Sequence, residues 1–324
     1  MNTEVVLVAV AALGVTAVAV PVCIMVARRY GMVDRPGPLK THETPVPYLG
    51  GVAVFAGAAV GSSAGRPVVL LPLAAALAVG VADDRFDLPP QMRLLAQLAV
   101  GAGIAATQPV HLPGWLGVPL IMAATLVLVN GFNLLDGLDM LAAGVGLAGA
   151  IVFAVISHGA ARLTAASLAG ALVGFLWYNR PPARIYLGDG GTYLLGASMT
   201  VLLAQAWGVG VAGTTGVVAL ALLAVPVAEV ACAIIRRRRS GGSILNGDRG
   251  HPYDRLVAGG WSRTAASGAY IAIEVFVAVA VAVVVVVGHA PMVVALGIDV
   301  GVAVAVLGGA ALAGGMTNPT GTRP

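Results

Sequence analysis

Three short stretches crowd carboxylates beside small residues: GVADDRFDLPP at 80–90, NLLDGLD at 133–139 and YLGDGG at 186–191. Asp83, Asp84 and Asp87 fall within five residues, in a chain with only 14 acidic residues in 324. Mg²⁺ prefers carboxylate oxygens and often bridges one or two of them to substrate phosphates. No set of Cys or His with ligand spacing accompanies them, so the donors favour Mg²⁺ or Mn²⁺ over zinc. Groups suited to phosphate lie in two further stretches. Lys40 and His42 stand in PGPLKTHETPVPYLGG, and Arg249, His251 and Arg255 in NGDRGHPYDRL. Such cations, together with a metal, neutralise the charge that develops in phosphoryl transfer. Gly188, Gly190 and Gly191 permit close backbone approach to a ligand. Each stretch alone also reads as a solvated helix cap or a glycine-rich loop. The weight lies in their combination.

The elements that must position these groups are apolar. The chain is 59% hydrophobic and 10% charged, with a mean hydropathy of +0.94. Soluble domains carry about 25% charged residues, so an ordinary soluble globule is excluded. Repeated apolar runs of about 17 to 25 residues read as membrane-spanning helices. The runs predict eleven, over 4–27, 48–63, 67–82, 93–108, 116–131, 140–157, 163–179, 190–207, 212–235, 265–288 and 291–314. The fold class is all-α, a polytopic membrane bundle forming one domain over 1–324, with the site in its loops. Residues 5–27 lack a basic leader, since Glu4 is the only charge before them, so they read as a retained first helix. Cys23 and Cys232 sit in apolar runs and offer no disulfide framework.

Orientation follows from charge. Of the 18 Lys and Arg residues, sixteen lie in loops after odd-numbered helices or in the tail, and only Arg66 and Arg162 lie on the other side. By the positive-inside rule the N-terminus is outside and the C-terminus cytoplasmic. The acidic stretches then share the cytoplasmic face. The RRRR run at 236–239 reads as an orientation signal or an anionic-lipid contact. A membrane enzyme with metal-type carboxylates and phosphate-type cations on one face would join a soluble phosphorylated substrate to a lipid-borne one. Two other classes stay open, a carrier and an inactive scaffold. Carriers place their site near the midplane, whereas these acids lie at one face. No nucleic-acid partner is read from the basic residues.

Taken in order, DRPGPLKTHETPVPYLGG, DDRFDLPPQMRLLAQ, NGFNLLDGLDML, RIYLGDGGTYLLG and GDRGHPYDRL resemble the polyprenyl-phosphate N-acetylhexosamine-1-phosphate transferase superfamily. The resemblance implies that a polyprenyl phosphate attacks the β-phosphorus of a UDP-sugar. UMP leaves and a polyprenyl-diphospho-sugar stays in the cell membrane, as an initiating step of cell-envelope glycan synthesis. It implies Mg²⁺ as cofactor, with Mn²⁺ as its alternative. Asp83 and Asp84 match the family's paired aspartates, which meet the attacking lipid phosphate. Asn133, Asp136 and Asp139 match a loop for nucleotide and metal. Asp189 matches a metal ligand, so Asp84, Asp136 and Asp189 form the metal set. Lys40, His42, Arg249 and Arg255 match groups that bind substrate. His251 matches a histidine that contacts substrate phosphate. Asp87, Glu229 and Thr192 are expected to support them. A homodimer is implied by the superfamily.

The chain departs from the family in places. Where many members read H-x-H-H, it has His251-Pro252-Tyr253-Asp254. Met140 replaces the usual Gly after the central D-G-x-D, Thr192 the usual Ser, and Leu39 an Arg. The last-loop change bears on recognition of the sugar and argues against the MurNAc-pentapeptide branch. Glu274 and Asp299 fall inside predicted spans and read as structural. His111, His158 and His289 fall in outer loops and carry no chemistry.

Overall fold

The computed structural model describes residues 3–36, 44–108, 114–208, 223–241 and 250–287. Helices dominate them. In order these are α1 (Thr3–Tyr30), α2 (Gly50–Gly65), α3 (Leu70–Phe86), α4 (Pro90–Thr107), α5 (Gly114–Leu135), α6 (Leu141–Ile156), α7 (Gly159–Asn179), α8 (Gly188–Gly208), α9 (Ala224–Arg239), α10 (Pro252–Ala258) and α11 (Arg263–Val287). A 3₁₀ turn, Pro67–Val69, leads into α3. A two-stranded antiparallel ribbon joins α1 to α2, with β1 (Val33–Asp34) and β2 (Val46–Pro47) pairing Val33 with Pro47 and Asp34 with Val46.

Ten of the eleven predicted spans thus appear as helices. The eleventh, 291–314, and its Asp299 lie outside the described residues, as does the first part of the ninth. Five helices are long and apolar enough to cross a membrane: Thr3–Tyr30, Pro67–Phe86, Gly114–Leu135, Gly159–Asn179 and Arg263–Ala280. Large apolar side chains face outward, among them Val18 at 73% and Phe276 at 71% exposure. Water would penalise such faces, and lipid does not. The fold is an all-α polytopic membrane bundle.

The centre of the bundle is α8. Every residue from Gly190 to Ala206 is buried, with α2, α3 and α5 packed around it. A helix apolar all round belongs inside. Two close approaches fix its start. A Cβ at Gly80 of α3 would strike the backbone of Asp189 and Gly190, and one at Gly51 of α2 would strike Gly190 and Gly191. Small residues let helix backbones meet in lipid. Backbone bonds then tie the entry to α2 against the segment entering α8: Tyr186 N–H donates to Pro47, Gly50 N–H to Tyr186 and Gly51 N–H to Leu187, at 2.7, 3.0 and 3.0 Å.

One expectation needs correction. The apolar run predicts a helix ending at 82, with the DDRFD carboxylates in the loop after it. Instead α3 runs on to Phe86, so Asp83 and Asp84 ride its last turn, and Asn133 and Asp189 likewise stand on helix ends. The helix continues because its carboxylates find donors rather than water. The short helix α10, Pro252–Ala258, lies between the predicted spans.

Candidate active site

Asp83 and Asp84 are neighbours on a helix, so they project about 100° apart. They do different things. Asp83 is buried, 4% exposed. Its Oδ2 accepts from the Tyr193 hydroxyl at 2.7 Å and from Arg93 at 3.5 Å, and its Oδ1 from the Leu88 N–H at 3.0 Å. These bonds fasten α3 to α8 and α4. Asp84 turns toward the start of α8. Its two oxygens accept the N–H groups of Asp189 and Gly190, each at 3.0 Å. The first amides of a helix lack partners within it and carry partial positive charge. A carboxylate 105 residues away in sequence therefore caps α8.

The central stretch arrives from the end of α5. Asn133 donates to Asp189 Oδ1 at 2.5 Å, which orients that carboxylate. Thr192 donates back to the Asp189 carbonyl at 3.2 Å. Beyond the helix, Asp136 is held well above the usual carboxylate range, first by burial and then by the neighbouring charges of Asp189, Asp84 and Asp139, while the Gly188 backbone N–H opposes them. Asp139 Oδ2 accepts the Ala183 N–H at 3.0 Å. Asn179 takes the Met140 N–H and donates to the Ile185 carbonyl, both at 2.9 Å. So the turn 136–140 is pinned to the connection between α7 and α8. Met140 adopts a left-handed φ of 67°, where most side chains are strained. Tyr186, in that connection, is pushed up to about 12 by burial and by Asp139, Asp34 and Asp136, against Arg263.

Asp84, Asn133, Asp136 and Asp189 are thus gathered at one end of the bundle from three sequence stretches. Among the described residues, no three His, Cys, Asp or Glu side chains converge closely enough to form a complete cage for a metal. Mg²⁺ does not require one, because it is usually held by one or two carboxylates plus substrate phosphates and water. The donors are hard oxygens, and their mutual repulsion at Asp136 is what a cation would relieve. The set fits a divalent cation.

The last stretch forms a separate cluster. His251 is the N-cap of α10, and its own N–H donates to Asp254 Oδ2 at 3.2 Å. Its ring lies parallel to Tyr253, centroids 5.1 Å apart. Its Nδ1 meets Glu229 Oε2 of α9 at 3.2 Å, and Tyr270 of α11 donates to Glu229 Oε1 at 2.8 Å. The Tyr253 hydroxyl donates to the Leu134 carbonyl at 2.9 Å, fastening α10 to the end of α5. Among the other sequence candidates, Asp87 is the exposed left-handed C-cap of α3, and Arg255 is exposed on α10. Lys40, His42 and Arg249 lie outside the described residues. Sequence reasoning missed Tyr193, Tyr270 and Asn179. Tyr193 lies one turn after Asp189, a spacing that puts it on the same helix face. Nothing local marked the other two.

Residues 67–207 match the model of glycosyl transferase family 4. The chain is 30% identical to the probable undecaprenyl-phosphate N-acetylglucosaminyl 1-phosphate transferase of Bacillus subtilis, across 75% of this chain and 74% of that protein. It is 31% identical to the decaprenyl-phosphate N-acetylglucosaminephosphotransferase of Mycobacterium tuberculosis, across 74% and 72%. With the undecaprenyl-phosphate alpha-N-acetylglucosaminyl 1-phosphate transferase of Yersinia pestis the identity is 26%, across 74% and 73%.

Proposed function

We propose a reaction from one premise: the chain belongs to glycosyl transferase family 4. It is a membrane enzyme that transfers a sugar 1-phosphate to a polyprenyl phosphate. In our reading the sugar is an N-acetylhexosamine and the donor its UDP derivative. An oxygen of the lipid phosphate forms a bond to the β-phosphorus. The bond from that phosphorus to the bridging oxygen breaks, and UMP leaves with the electron pair. The lipid phosphate is already largely ionised near neutral pH, with a second pKa of about 6, so no strong base is required. Positioning and charge neutralisation supply the acceleration.

The observation that carries this reading is the meeting of Asp84, Asn133, Asp136 and Asp189 at one bundle end. Asp84 holds the start of α8, which sets Asp189. Asn133 fixes the rotamer of Asp189. Asp136 and Asp189 are the residues that would hold Mg²⁺ or Mn²⁺, with Asp84 beside them. The cation would supply charge neutralisation at the diphosphate. Asp83 supports them through Tyr193 and Arg93 rather than by touching substrate. Arg249, Arg255 and Lys40 supply positive groups for phosphate, and His251 and His42 hydrogen-bonding groups. We place this end of the bundle in the cytoplasm, on the asymmetry of Lys and Arg, and carry a homodimer over from the family resemblance. A carrier would hold its clustered acids at mid-depth, whereas these ride helix ends.

The test is UMP release by purified protein in detergent, with polyprenyl phosphate, Mg²⁺ and a panel of UDP-sugars. Release that requires both lipid and Mg²⁺, and stops with EDTA or in Asp189→Asn, is the expected result. Turnover that survives Asp189→Asn would remove the site assignment.

A further inference from the structure

Tyr253 of α10 reaches the turn that carries Asp136. Its hydroxyl donates to the Leu134 carbonyl at 2.9 Å. Leu134 stands in the last turn of α5, where carbonyls lack an amide partner within the helix. The same hydroxyl lies against Gly137, the residue after Asp136, and a Cβ at Gly137 would strike it and the ring. The Gly137 backbone is not left-handed, so glycine serves there for space rather than for conformation. Asp139 and Asn179 hold the far side of the turn, through the Ala183 and Met140 amides. Tyr253 is itself held fast. It is 3% exposed, parallel to the His251 ring at 5.1 Å and edge-on to Tyr270 at 6.1 Å. Burial, then the charges of Asp254, Glu229 and Asp136, raise its hydroxyl well above the ordinary range, against Arg236, so it stays protonated and donates. The turn carries a load. Asp136 is crowded by the charges of Asp189, Asp84 and Asp139, and like charges push apart.

We infer that Tyr253 is a positioning residue: with Gly137 it forms a latch that keeps Asp136 beside the carboxylates that repel it, so that a divalent cation finds its ligands already assembled. The inference rests on the reaction proposed above, in which Asp136 helps to hold the cation. It also gives a task to the tyrosine of His251-Pro252-Tyr253-Asp254, where many family members carry histidine. An imidazole lacks the reach of a phenol and brings no donor to Leu134 from the same backbone. Tyr253→Phe keeps the ring contacts with His251 and Tyr270 and removes only the hydroxyl. Gly137→Ala presses a methyl group on that hydroxyl and turns it away from Leu134. Neither substitution alters a charge or a cation ligand. A tyrosine that merely packed would keep its contribution in Tyr253→Phe.

Mn²⁺ is the probe. It is titrated into purified protein in detergent, without substrate, and the free ion is counted by electron paramagnetic resonance. The Kd is expected to rise by about 10-fold in both Tyr253→Phe and Gly137→Ala, with Tyr253→His binding no better than Tyr253→Phe. In the transfer assay the Mg²⁺ needed for half-maximal rate should rise by the same factor, while kcat at saturating Mg²⁺ stays within about threefold of wild type. With no cation present, hydrogen exchange over residues 136–141 should quicken in Tyr253→Phe. An unchanged Kd in Tyr253→Phe would overturn the inference, as would equal exchange rates or a Tyr253→His variant that binds Mn²⁺ as tightly as wild type. Melting in EDTA checks that each variant folds, and should Tyr253→Phe fail, the Kd of Gly137→Ala decides in its place. A wild type that binds no Mn²⁺ and releases no UMP would defeat the proposed reaction and the inference with it. A wild type that does both, with the same Kd in the variants, would defeat the latch alone.

Discussion

The starts of α8 and α10 solve one physical problem in two ways. Both are helix N-termini with amides that need acceptors. At α10 the answer is local. His251 caps, Pro252 follows, and Asp254 reaches back three residues to the His251 N–H. At α8 the acceptor comes from another helix. Asp84 crosses from α3 and takes both the Asp189 and the Gly190 amides. A local cap makes one helix start. A cap supplied from a distant helix also fixes the distance between two helices, and here those helices carry the reacting end of the bundle. The comparison teaches that Asp84 is placed where fold and chemistry depend on the same carboxylate, whereas His251 and Asp254 divide those duties.

Four substitutions probe that contrast, in decreasing order of effect. Asp84→Asn should lower transfer by at least about 100-fold and destabilise the protein by about 2–3 kcal/mol, because an amide turns a donor toward one of two amide donors. Thermal unfolding in detergent alongside UMP release measures both, and an unchanged melting temperature would break the comparison. Asp136→Asn sharpens it by separating the duties. Transfer should again fall by about 100-fold, but stability without divalent cation should rise. The sign follows from the raised pKa of Asp136. A carboxyl held above its unfolded value of about 3.9 favours the fold fully below that value, and loses this contribution as pH climbs through the raised folded value. In EDTA, the variant's advantage over wild type should therefore grow with pH across that window. Asp254→Ala should cost about 1 kcal/mol and less than about tenfold in activity, since it removes only a local cap. Met140→Gly should stabilise by about 1 kcal/mol, because glycine adopts the left-handed backbone at 140 without strain; circular dichroism melts would show it.

Much of the fold was legible. Ten predicted spans became helices because hydropathy summed over about twenty residues is insensitive to single positions. Boundaries were less so, and α3 overran its predicted end by four residues, since the donors that stabilise its last turn lie on α4 and α8. The capping box of α10 is written in HPYD, but a helix of 7 residues is too short for hydropathy to mark. At the site, the candidates Asp84, Asn133, Asp136 and Asp189 do stand together, and Glu229 does touch His251. Tyr193, Asn179 and Tyr270 were invisible because their partners lie 110, 39 and 41 residues away.

By itself, then, the sequence determined that this is a helical membrane protein, which residue types could handle a phosphate and a cation, and which family the ordered motifs resemble. These are properties of composition and spacing along one dimension. Only the tertiary structure decided that Asp83 faces inward while Asp84 caps α8, and that His251 answers to Glu229 rather than to the aspartates. The reason is rotational. One residue's step along a helix turns a side chain by about 100°, and what waits in that direction belongs to another part of the chain.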